Sequence, residues 1–393
     1  MSKHIQEKLS SAINIERLVD TAVKLIGIPS PTLSAKPAAD KLAEILEEDG
    51  FNVERPNANW PESPAVFVSY DSGQPGKTLQ FNGHLDTVHL PFVEPRVENG
   101  ILYGSGASDM KGGVAAMCEA LRILRDSGLF KFGKIILTAH DHHEAPWGDG
   151  RQVKALIDQG YVGDGVLIPE YLSHCLPVLG RGMAIFEVSI KREGIPVHEV
   201  QGGLEQPSVI AAGADLITRF RELDKQLTKL THPLGARESI FIGQVSSGEI
   251  YNQSPTEFKL QGTRRWLPGT LRDYVEKQFQ DILKEVGKEK GIQVKGEFNS
   301  LLDPYELNED HPLLPAFQSA YEEIAGRSIP LGAKPFLDDG NNFIAKAGIP
   351  AITHGPDAIG AHTVNEEVSL DELKRVALTY ALTAILFCGN VDE

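Results

Sequence analysis

The sequence predicts an α/β protein, a doubly wound mixed sheet with helices on both faces, interrupted by a smaller ferredoxin-like α+β module. Two patterns carry this reading. Short apolar runs of strand length alternate with helices whose apolar residues fall on one stripe, which sets buried strands beneath covering helices. Past Gly180 that texture gives way to alternating strands and longer amphipathic helices, and it returns only in the last third.

Taken in order, residues 39–48 (ADKLAEILEE) put Ala39, Leu42, Ala43 and Leu46 on one helical face, and Asp49-Gly50 stops that helix. AVFVSY (65–70) and TLQFNG (78–83) read as strands. Residues 114–125 carry Val114, Met117, Cys118, Leu121 and Leu124 at helical spacing. KIILTA (134–139) and GVLIPE (165–170) are further buried strands. MAIFEVSIKR (183–192) alternates as a strand with one face buried. A helix around 208–224 follows, then strands at 239–247 and 256–266. A long helix over 270–290 has Leu271, Tyr274, Val275, Ile282, Leu283 and Val286 on its apolar side. Strand–helix–strand–strand–helix–strand is the order of a ferredoxin-like unit. It is placed at 181–292, with 1–180 and 293–393 as the two parts of the larger domain. The last part holds a helix near 312–325, a strand at 351–355 and a closing helix near 369–387.

A chain of 393 residues, 41% of them apolar, can build more than one core. The net charge of −16 argues against nucleic acid and anionic membranes as partners, because both need a positive face. Three scattered cysteines, Cys118, Cys175 and Cys388, imply neither a disulfide framework nor a cysteine metal site. The polar start MSKHIQEKLS lacks an apolar signal core, and the expectation is a soluble, cytoplasmic protein.

Side chains able to bind metal gather at the strand ends, where α/β sheets place their sites. GHLDTV sets His84 and Asp86 two apart, on one side of an extended chain. LYGSGASDMKGG sets Asp109 at the entry to a helix. Glu170 ends GVLIPE. TAHDHHEAPWG (138–148) packs His140, His142 and His143 beside Asp141 and Glu144, directly after a strand. His354 and His362 lie in the Gly/Pro-rich HGPDAIGAHTVNEEV. Each group alone has a bland reading as a helix cap, a polar loop or a satisfied strand end. Their joint order does not.

That order, from GHLDTV through LYGSGASDMKGG, the carboxylate- and histidine-rich loop and IPE to AHTVNEEV, resembles the dinuclear metallopeptidase family. The family includes acetylornithine deacetylase, succinyl-diaminopimelate desuccinylase, glutamate carboxypeptidase and the aminoacylases. The resemblance spans roughly residues 15 to 390. It implies a catalytic α/β domain of the zinc-exopeptidase type, with the inserted module as a lid and dimerisation domain. His84, Asp109, Glu144, Glu170 and His362 are implied as ligands of two divalent metals, with Asp109 bridging and Asp86 orienting His84. Nitrogen and oxygen donors without sulfur suit zinc, with cobalt or manganese as alternatives. On the module, His198 is implied to stabilise the oxyanion, and Asn252 and Arg265 to bind substrate. Asp339 and Asn341 match a loop on the substrate side. A homodimer is implied as well.

The chain departs from the family at one place. The usual Asp-Glu-Glu reads His142-His143-Glu144. Three readings stay open. Glu144 is a ligand and His143 the general base; or Glu144 is the base and His143 or His142 supplies the missing ligand; or the base is lost and the protein binds metal with little turnover. Imidazole and carboxylate serve both as ligands and as bases near neutrality. His140 is the expected bystander, and Trp147 a pocket wall or a packed loop residue. The expected activity is metal-dependent hydrolysis of amide bonds in small N-acyl amino acids. The alternatives are dipeptide or carboxypeptidase cleavage, and a catalytically weak homologue that binds metal or ligand.

Overall fold

Two kinds of sheet appear in the computed structural model, which describes residues 3–389. The chain begins with α1 (Lys3–Ala12), α2 (Ile15–Ile26), α3 (Lys36–Glu48), β1 (Val53–Glu54), β2 (Val66–Asp71) and β3 (Thr78–His84). It continues with α4 (Lys111–Asp126), β4 (Lys134–His140), α5 (Arg151–Asp158) and β5 (Gly165–Ile168). A second compact unit, Leu179–Glu306 with Ala333–Leu337, then intervenes. It carries β6 (Gly182–Lys191), α6 (Val209–Leu227), β7 (Ser239–Ser247), β8 (Glu257–Trp266), α7 (Arg272–Lys290) and β9 (Gln293–Leu302). The first unit resumes with α8 (Leu313–Ala325), β10 (Ala351–Thr353) and α9 (Leu370–Gly389).

The first unit is built on a six-stranded mixed sheet in the order β1-β2-β4-β3-β5-β10. β4, β3, β5 and β10 run parallel, and β2 joins β4 antiparallel. β3, β4 and β5 are buried on both faces, as covered parallel strands must be. That explains why β4 and β5 read as apolar runs, while β3 alternates Leu79 and Phe81 with the buried polar Gln80 and Asn82. Helix α4 is buried along its length from Lys111 to Leu124 and packs on α2 and α9. Among the described residues no helix is long and apolar enough to cross a membrane.

The second unit has the expected α+β order. Its antiparallel sheet runs β7-β8-β6-β9, with α6 and α7 packed on it. Phe186, Val188 and Ile190 of β6 meet Leu216, Phe220, Phe258, Phe279 and Leu283 in one apolar core. The seam expected after residue 292 is corrected to Glu306, because β9 pairs along the whole of β6 from Gln293↔Lys191 to Leu302↔Met183. β9 escaped a sequence reading because it is a half-exposed edge strand with little apolar signal. Its Gly296 also sits where a Cβ would strike Leu283 and the Phe279 ring.

Arg264 and Glu238 form a buried ion pair in this unit, 2.6 Å apart and 2% and 1% exposed. Glu238 also accepts from the Thr270 hydroxyl at 2.6 Å. Removing one member leaves a buried, uncompensated charge. Glu238→Ala is expected to cost about 3–5 kcal/mol of stability in urea unfolding; a cost under about 1 kcal/mol would show that water reaches Arg264.

Candidate metal centre and active site

The parallel strands of the first unit deliver their C-terminal ends to one edge. His84 ends β3 and His140 ends β4, directly opposite one another in register. Glu170 follows β5 by two residues. Asp109 precedes α4, whose glycines let it sit close to the Glu170 segment. A Cβ on Gly113 would lie 2.3 Å from the Pro169 carbonyl oxygen, and one on Gly112 2.3 Å from that of Ala107. His362 is delivered by a separate small sheet. Residues Ile101–Tyr103 pair with Glu367–Ser369, which pair with Ala358–Ile359. This ties the glycine-rich loop before Asp109 to the loop that carries His362.

Asp109 lies at the centre. Its Oδ1 is 3.1 Å from His84 Nε2, and its Oδ2 is 3.1 Å from His362 Nε2. Glu144 Oε2 is 3.2 Å from His362 Nε2, and Glu170 Oε1 is 3.6 Å from His84 Nε2. Five of the residues expected as ligands are therefore together. His84 Nδ1 donates to the Asp86 carbonyl oxygen at 2.8 Å, which leaves Nε2 as the free donor atom. The expected role of the Asp86 carboxylate is corrected by this geometry. It sits 3.7 Å from His84 and instead accepts the backbone N–H groups of His143 and Glu144, each at 3.0 Å. Asp86 thus orients His84 through its main chain and shapes the histidine-rich loop through its side chain.

The charges show what the donors are built to hold. Three carboxylates, Asp109, Glu144 and Glu170, are nearly buried. Burial opposes the Asp109 charge, but hydrogen bonds from His362 and His84 outweigh it and hold its pKa far below the usual range. Burial and the Asp109 charge push Glu170 up to about 7. Hydrogen bonds to Asp109 and Glu144 push His362 up to about 10. Glu170 Oε1 is buried without a hydrogen-bond partner. Carboxylates crowded this closely need positive charge between them, and these nitrogen and oxygen donors fit divalent cations. His142 and His362 both hold left-handed backbone, φ 70° and 61°, a conformation that costs a non-glycine residue about 1 kcal/mol and is concentrated at functional sites.

The histidine-rich loop divides. His142 belongs to neither donor cluster among the described residues; its ring is buried edge-on against Trp60 at 4.5 Å. This removes it as a substitute ligand. His143 stacks on His84, with ring centroids 4.0 Å apart, and its Nδ1 is 3.2 Å from Asp339 Oδ1. His140, expected as a bystander, is fully buried with Nε2 2.8 Å from Asp339 Oδ2. Asp339 and Asn341, expected to face substrate, are 2% and 0% exposed. The Asp339 oxygens are taken by His140, His143 and Asn82, so direct contact with substrate is corrected to an internal role. Trp147 stacks on His89 at 4.2 Å.

Sequence reading missed Glu366. Its carboxylate accepts the N–H groups of Gly106, Ser108 and Asp109 and the Ser108 hydroxyl, at 3.0–3.1 Å, and so fixes the backbone on which Asp109 stands. The only signal was its place in AHTVNEEV. His354 stays out of the site. It is buried against Phe317 and Tyr321, and burial lowers its pKa to about 3. The folded state therefore resists its protonation. Stability from this residue is full above about pH 6.5 and declines by up to about 1.4 kcal/mol per pH unit as pH falls toward 3. Urea midpoints from pH 7.5 to 4.5 should fall less steeply for His354→Asn than for the unsubstituted protein. Parallel curves would contradict the assignment.

The remaining candidates lie on the second unit. His198 Nε2 is 2.9 Å from the Asn252 side-chain amide, which makes one hydrogen-bonded pair of two expected residues. Arg265 Nη1 is buried with no hydrogen-bond partner. Burial and the charge of Arg181 lower its pKa to about 10.

Comparison with known proteins places the chain in a family. The chain is 24% identical to N-formyl-4-amino-5-aminomethyl-2-methylpyrimidine deformylase of Bacillus subtilis, over 96% of each protein. It is 25% identical to succinyl-diaminopimelate desuccinylase of Hahella chejuensis, over 95% of this chain and 98% of that one. The crystal structure of aminopeptidase PepT from Bacillus cereus superposes with a TM-score of 0.78 at 21% identity, over 95% of this chain and 99% of that one. The model of peptidase family M20/M25/M40 matches residues 80–385, which include every candidate ligand, and the chain belongs to that family of amide-bond hydrolases.

Proposed function

We propose that the protein hydrolyses the amide bond of small N-acyl amino acids, using two divalent cations, zinc first and cobalt or manganese as alternatives. Cleavage of a dipeptide or of a C-terminal residue is the second reading. The observation that carries the proposal is Asp109, whose two oxygens each face a different imidazole at 3.1 Å. His84, Asp109 and Glu170 would hold one cation, and Asp109, Glu144 and His362 the other. Bound there, the cations would polarise the scissile carbonyl and acidify water. His143 would take the proton from the attacking water and return it to the leaving amine. Arg265, whose buried Nη1 has no hydrogen-bond partner, would suit a substrate with a free carboxylate, and His198 would steady the developing oxyanion. A homodimer and a cytoplasmic setting belong to the same reading.

The test strips the protein with chelator, reloads it with zinc, cobalt or manganese, and assays N-acyl amino acids and dipeptides. About two ions per chain and restored turnover are expected. A chain that takes up no divalent ion would overturn the proposal.

A further inference from the structure

His84, His143 and Glu170 present donor atoms within 4.8 Å of one another, and distance alone would group them around one ion. The ring planes say otherwise. The two imidazoles are parallel within 6°, with centroids 4.0 Å apart. A metal bound to an imidazole nitrogen lies near that ring's plane, at about 2.0–2.1 Å. Stacked rings hold their planes roughly 3.5 Å apart, at van der Waals contact. An ion in the plane of His84 is then well outside the plane of His143.

What holds His143 in this orientation is a buried polar network of the sheet. Asp339 Oδ1 meets His143 Nδ1 at 3.2 Å. Asp339 Oδ2 is braced by His140 Nε2 at 2.8 Å and accepts from Asn82 Nδ2 at 2.9 Å. Asn82 Oδ1 accepts from the Thr138 hydroxyl at 2.8 Å, and Thr138 Oγ1 accepts from Gln80 Nε2 at 2.8 Å. Gln80, Asn82, Thr138, His140 and Asp339 are all buried. Gln80, Asn82, Thr138 and His140 come from neighbouring strands in fixed register, and they hold the carboxylate of Asp339, which starts the short helical turn Asp339–Asn341. With Nδ1 on Asp339, the Nε2 edge of His143 points toward Glu170, 3.5 Å away.

We propose that Asp339, braced by His140 and Asn82, is a positioning residue that locks the His143 ring parallel to His84. The lock keeps His143 from ligating the ion of His84 and leaves its Nε2 edge for water or substrate. This rests on the function proposed above, and it deepens it by giving a carboxylate and a histidine a role that acts through His143. The replacement of the family's carboxylate by His143 is thereby coupled to a second histidine four positions from Glu144, and to Asp339 far along the chain.

The cobalt-loaded protein separates the possibilities. His143→Ala is expected to keep the ion count and the visible cobalt bands of the unsubstituted protein while kcat falls about 10²–10⁴-fold. Asp339→Asn is expected to lower kcat about 10–100-fold with KM little changed, and to add nothing further on top of His143→Ala. Shifted bands or a lost ion in His143→Ala would make His143 a ligand and overturn the proposal. A raised KM at unchanged kcat in Asp339→Asn would overturn it as well, by restoring Asp339 as a substrate contact. A readout without metal keeps it distinct from the function itself. In the metal-free protein, a downfield imidazole N–H proton absent from His143→Ala should also vanish in Asp339→Asn. Its persistence there would refute the lock even if the chain bound no ion at all.

Discussion

Replacing Asp109 by asparagine is expected to remove both cations together, taking the ion count from about two per chain toward zero and turnover down by at least on the order of 10³-fold. The asymmetry with other ligands is the informative part. His362 approaches only Oδ2 of Asp109, and His84 only Oδ1. His362→Ala should therefore lose one ion and keep the other, whereas Asp109→Asn removes the negative charge common to both positions. Asparagine keeps the shape, so loss of fold does not enter. Calorimetric titration of the stripped variant with zinc provides the measurement. Two intact binding events would show that Asp109 is not shared.

Replacing Glu144 by alanine is the second large effect. Glu144 stands 3.2 Å from His362 Nε2, and its backbone N–H is fixed by Asp86 at 3.0 Å. The side chain faces His362, in keeping with the ligand role proposed for it. The variant is expected to bind about one ion in place of two and to lose turnover on the order of 10³-fold. Elemental analysis after zinc reloading decides the matter. A variant with two ions and no turnover would make Glu144 the general base and leave His143 without that task.

Much of the fold was legible because its elements are extreme cases of simple patterns. The covered strands β4 and β5 read as short apolar runs, and the helix after Asp109 carries an apolar stripe. β9 was not legible, since this edge strand marks its inward face with little more than the partly buried Val294 and Phe298. The ligands were legible through motif order. Their partners were less so, because a carboxylate that binds backbone N–H groups, as Asp86 and Glu366 do, looks in sequence like any other acid.

By itself the sequence determined an α/β enzyme with a ferredoxin-like insertion and a set of nitrogen and oxygen donors at its strand ends. Strand-end placement and residue chemistry are local properties, written in consecutive residues. Only the tertiary structure decided how TAHDHHE divides its labour. His142 turns to Trp60, His140 to Asp339, and Glu144 to His362, while His143 lies flat against His84. Those directions depend on residues about 60 to about 220 positions away in the chain, brought near only by the tertiary fold. No spacing within the loop could have specified them.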